Sequence, residues 1–122
     1  MRSASGLLGQ ARALLAEAAR TAEPGERFRL AHFAALRTAA ALIAERDIGA
    51  SRRRLVSVWK RLEKAAPEHA EWARRFAAGA SMRAAVEAGA FSAVSRPDAD
   101  EQLRSAEAFL ALAEASIGML AA

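Results

Sequence analysis

Cysteine is absent from the 122-residue chain, which removes disulfides, thiol catalysis and cysteine-based zinc or iron–sulfur sites. Histidine occurs only twice, too rarely for a convincing metal site, so neither a metal nor a cofactor is expected. No run of about eighteen apolar residues occurs, and the opening MRSASGLLGQARALLAEAAR has no uninterrupted apolar stretch. Neither a membrane span nor a signal peptide is therefore expected, and the cytoplasm is the default compartment. Proline stands only at positions 24, 67 and 97, each time where a helical pattern restarts, which suits its tolerance in a first helical turn. Lysine is scarce too: of 18 basic residues 16 are arginine, a bias that GC-rich coding produces without any demand from function.

What the chain has in abundance is alanine, 35 residues, set in amphipathic segments with no convincing strand among them. The prolines and one basic loop divide it into five such segments. The first, about Ser5 to Arg20, places Leu7, Ala11, Leu14, Leu15 and Ala18 on one stripe. The second, about Glu26 to Arg46, aligns Phe28, His32, Ala35, Leu36, Ala39, Leu42 and Ile43, while Leu30 and Phe33 widen its apolar surface sideways, so it reads as the central helix. After the loop DIGASRRR, LVSVWKRLEKAA aligns Leu55, Trp59, Leu62 and Ala66. The fourth segment starts near Pro67, lines up Trp72, Phe76, Gly79, Arg83 and Val86, and stops at Ala88-Gly89, a glycine cap; Gly79 within it permits close approach or a kink. Ser95 with Asp98 forms a variant capping box before the last helix, about Pro97 to Leu120, which buries Leu103, Ala106, Phe109, Leu110, Ala113 and Ile117. The expected fold is all-α, a compact antiparallel bundle of about five helices forming one domain over residues 1–122, its core about 5–118.

Charge is unevenly spread. Arg27 to Arg83 carries 13 basic and 5 acidic residues, net +8, whereas the two flanks carry 5 basic and 9 acidic, net −4. A basic middle favours contact with an anionic partner, although solvated helix faces also look this way.

Three stretches, RFRLAHFAALRTAAALIA, SVWKRLEKAAPEHAEWARRFAAGASMRAAVEAG and DADEQLRSAEAFLALAE, together resemble the short stand-alone HEPN proteins of actinobacteria (higher eukaryotes and prokaryotes nucleotide-binding). The similarity runs from about Leu7 to Ile117 and rests on helix order and patches such as AAPEHAEWA. It implies a bundle of four to five helices, often a homodimer, from a superfamily linked to RNA cleavage, nucleotidyltransferase partnership and toxin–antitoxin or defence systems. Catalytic members share an arginine, four to six intervening residues and a histidine, usually on a later helix, and need no metal. There the histidine serves as acid or base towards a ribose 2′-hydroxyl and the arginine holds the phosphate.

Arg27 and His32 have the bare Arg-x4-His spacing, but on the second helix, and five helical steps set the two side chains about 140° apart. A cation in a first helical turn is also disfavoured by the helix dipole, so Arg27 needs another reason to be there. His32, amid an apolar face, is either a core histidine satisfied by a hydrogen bond or a ligand-facing one. His69 reads as an exposed first-turn residue. Arg83 shares a stripe with Trp72 and Phe76, so it either pairs with Glu107 or Glu114 on the last helix or opens onto a cleft as a phosphate ligand. Arg52, Arg53 and Arg54, continued by Lys60, Arg61 and Lys64, are either a solvated face or a phosphate-backbone patch, and Trp59 is core before it is a stacking platform.

The leading reading is a HEPN-type module that binds RNA or another nucleic acid through Arg52, Arg53, Arg54, Arg61 and Arg83 without strong catalysis. The alternatives are a metal-independent ribonuclease of toxin type, acting through Arg27 and His32, and a protein-interaction or dimerisation module.

Overall fold

Residues 3–46 and 57–121 are described in the computed structural model, and among them every regular element is helical. The helices are α1 (Ala4–Arg20), α2 (Pro24–Arg46), α3 (Val58–Ala65), α4 (Ala70–Ala78), α5 (Ala80–Glu87) and α6 (Arg96–Ala121), with single 3-10 turns at Pro67–His69 and Phe91–Ala93. Each long helix begins where a side chain can satisfy its first free amides. Ser3 Oγ accepts from Gly6 N–H ahead of α1. Before α6 the capping box closes in both directions, Asp98 N–H donating to Ser95 Oγ and Ser95 N–H to Asp98 Oδ2, each at 3.1 Å.

α2 has buried residues along most of its length, and it packs against α1, α6, α3 and α5. Alanine makes this close packing feasible: Ala31, Ala34, Ala35, Ala39 and Ala41 of α2 are all fully buried, as are Ala11 and Ala18 of α1 and Ala106 and Ala113 of α6. Larger side chains fill what remains. Rings of Trp59, Trp72, Phe76 and Phe109 stack at centroid distances of 5.3–6.0 Å between α3, α4 and α6. A smaller cluster of Phe28, Val86, Val94 and Ala99 closes the other end of α2.

The fourth predicted segment is not one straight helix. It begins as a 3-10 turn at Pro67 and breaks at Gly79 into α4 and α5. A Cβ on Gly79 would stand 3.3 Å from the Phe28 ring, so this glycine lets the chain approach α2 closely where its direction changes. Counted as one bent helix, α4 and α5 leave the bundle at the expected five. α5 ends in a Schellman motif: Ala90 N–H bonds the Ala85 carbonyl, Gly89 N–H bonds the Val86 carbonyl, and Gly89 takes φ +98°. His69 is a second correction: it is buried rather than exposed, beside Glu68, whose carboxylate is held by Arg46, and burial lowers its pKa. Arg46 also reaches Ser116 Oγ at 3.0 Å and so ties the end of α2 to α6.

Candidate nucleic-acid interface

Arg27 and His32 are held by different partners. The Arg27 guanidinium turns back to the end of α1, donating from Nε to the carbonyls of Ala18 and Thr21 and from Nη2 to that of Ala19, at 3.0–3.4 Å. Its Nη1 meets Asp100 Oδ1 of α6 at 2.6 Å. The last carbonyls of a helix lack intrahelical donors and carry the negative end of its dipole. Arg27 is thus a cap for α1 supplied from the first turn of α2, which explains a cation at a position its own helix disfavours.

His32 is 1 % exposed. Its ring lies between Phe28, at 6.4 Å between centroids, and the edge-on Trp59, at 5.9 Å. Gln102 Nε2 lies 3.2 Å from Nδ1; an amide NH2 only donates, so Nδ1 is the acceptor and the neutral ring carries its proton on Nε2. Burial, and secondarily the positive charge of Arg83, lowers its pKa to about 4. This is the arrangement of a core histidine satisfied by a hydrogen bond, and it gives the imidazole no surface on which to meet a ribose.

Arg83 does not reach α6. Instead of Glu107 or Glu114, it pairs with Glu87 one turn along its own helix, Nη1 lying 3.1 and 3.3 Å from the two carboxylate oxygens. α5, which follows the interruption at Gly79, packs against α2 and the turn at Phe91–Ala93. There the Arg83 guanidinium carbon lies 5.5 Å from the centre of the half-buried Phe33 ring. Arg29 comes to the same ring from within α2, at 5.4 Å, and forms a two-pronged pair with Glu26 at 2.5 and 2.8 Å. That bond raises the Arg29 pKa and lowers that of Glu26. Nε of Arg83 is buried without a hydrogen-bond partner among the described residues. Two guanidiniums over one ring are held by attraction to the aromatic face as well as by their carboxylates.

Nothing in the local sequence marks Arg29 and Phe33 as site residues. Their spacing of four on α2 was legible, and so was the sideways position of Phe33. Arg83 joins them through tertiary packing, for which no local pattern exists. Of the other expected cations, Lys60, Arg61 and Lys64 lie on α3, which packs against α4, and the two helices together carry five basic and two acidic residues. Lys60 and Lys64 are exposed, Arg61 is half-buried, and Arg75 lies over the Trp72 ring at 5.1 Å. Trp59 itself is core, as expected. Arg52, Arg53 and Arg54 lie outside the described residues. No group of three or more metal-ligating side chains occurs among the described residues, and no described helix is long and apolar enough to cross a membrane.

An α2 surrounded by its neighbours, with an interrupted fourth segment and a long capped last helix, makes an all-α bundle. A family model described as HEPN_SAV_6107-like HEPN matches residues 18–114, and the chain belongs to the HEPN superfamily. No curated protein and no solved structure matches it.

Proposed function

We propose that this HEPN domain is a nucleic-acid-binding module that holds RNA or another polyanion through its basic central region without cutting it. The observation that carries the reading is the convergence of Arg29 and Arg83, each paired with a glutamate, on a half-buried aromatic ring. Guanidiniums recognise phosphate by charge-assisted hydrogen bonds, and a guanidinium lying on an aromatic ring is itself a flat surface on which a base can stack. The exposed Lys60 and Lys64 of α3 add sequence-independent attraction, as do Arg52, Arg53 and Arg54 in the intervening segment. Binding without cleavage follows from the burial of His32, whose proton-accepting nitrogen is occupied by Gln102.

Purified protein incubated at low salt with a mixed RNA pool and a chelator tests the reading. Intact, retained RNA is expected from both wild type and His32→Ala. Cleavage by wild type that disappears in a folded His32→Ala variant would replace this function with the metal-independent ribonuclease. Absence of any nucleic-acid binding would leave the protein-interaction module.

A further inference from the structure

Both arginines of the stack already hold a carboxylate, so the stack presents little net charge and cannot attract a nucleic acid by its field alone. The two pairs differ, however. Arg29 and Glu26 form a two-pronged bond, whereas Arg83 offers one nitrogen to Glu87 at 3.1 and 3.3 Å. Glu87 sits at the last turn of α5, and its side chain is 38 % exposed, so it can swing into water when a stronger acceptor arrives. Exposed ion pairs of this kind hold weakly, while phosphate accepts charge-assisted bonds from a guanidinium in the same plane.

We propose that the Arg29–Phe33–Arg83 stack is a single-strand site, in which Arg83 exchanges Glu87 for a backbone phosphate and an adjacent unpaired base stacks on the guanidinium–aromatic layer. The proposal rests on the nucleic-acid reading above and names its ligand class. Arg29 remains closed on Glu26 and serves as a plate over Phe33. A duplex presents phosphates but keeps its base faces inside its own stack, so only an unpaired strand can use both parts of this arrangement. Glu87 is then a built-in competitor that sets the affinity of the site.

Fluorescence anisotropy with a fluorescein-labelled single-stranded RNA and with a duplex of the same sequence tests the proposal. The single strand is expected to bind more tightly, and Phe33→Leu to abolish that preference in a protein that still melts cooperatively. Glu87→Gln is expected to tighten single-strand binding by about two- to fivefold. Glu107→Gln removes the same charge from an exposed position on α6 and is expected to do less. In an Arg83→Ala background the gain from Glu87→Gln should vanish. Equal binding of single strand and duplex, or equal gains from Glu87→Gln and Glu107→Gln, would overturn the single-strand site while leaving nucleic-acid binding intact. If neither wild type nor Glu87→Gln retains any nucleic acid, the functional reading falls together with the site.

Discussion

A proton added to His32 in the folded protein enters an apolar layer between Phe28 and Trp59, loses the bond its Nδ1 accepts from Gln102, and faces the charge of Arg83. The unfolded chain takes up that proton near pH 6.5, the folded chain only near pH 4. The folded pKa lies below the unfolded one, so the contribution is fully present above about pH 6.5 and is lost as pH falls towards 4. The difference corresponds to about 3 kcal/mol of stability. Chemical denaturation at pH 7 and at pH 4.5 should show most of that loss in wild type. A His32→Leu variant, compared only with itself, should show a flatter dependence. The remaining slope belongs to His69, whose pKa is lowered in the same direction, and to the carboxylates Glu26 and Glu68 at the acid end.

Helix ends carry the next layer of information. If Arg27 caps α1, then Arg27→Ala leaves three carbonyls and Asp100 without their cation and should cost about 2 kcal/mol. Arg27→Lys should recover only part, since an ammonium cannot spread its donors over the same fork. Both substitutions should leave RNA affinity unchanged, a combination that equilibrium denaturation and anisotropy read directly and that a phosphate ligand would not produce. At the end of α5, Gly89→Ala should lose about 1 kcal/mol in a thermal melt, although nothing stands within 4 Å of the added Cβ, because φ +98° is a conformation alanine resists. That cap was legible from Ala88-Gly89, as were the Ser95–Asp98 box, the start of each long helix and the central place of α2, since all are encoded within a few residues. The change of direction at Gly79 was legible only as a glycine that permits it. There Phe28 of another helix comes close to the glycine, and beyond it Arg83 pairs with Glu87 on its own helix and meets Phe33 in a contact between elements distant in sequence. His69 departs from expectation in another way: its place in a first turn suggests exposure, whereas its turn packs against both α3 and α4 and its side chain is buried.

Across the bundle the charges are sorted by helix, and this makes ionic strength the sharpest probe of what the protein does. α6 carries two basic and five acidic residues, α3 and α4 together five basic and two acidic, so an approaching polyanion is repelled from one helix and drawn to the others. Arginine content alone does not separate a binding face from a solvated one, because Arg27 and Arg46 are consumed in joining helices and Arg12 in pairing with Glu114. Cations that contact phosphate release condensed counterions, and each contact adds about 0.7 to the slope of log affinity against log salt on a single strand. Replacing both Lys60 and Lys64 by alanine should therefore lower that slope by about 1.4, and Arg27→Ala should leave it unchanged. Affinity titrations of the three proteins over a series of salt concentrations read the difference. A slope that is already flat in wild type would mean that the positive stretch from Arg27 to Arg83 touches no phosphate and that its arginines serve the bundle alone.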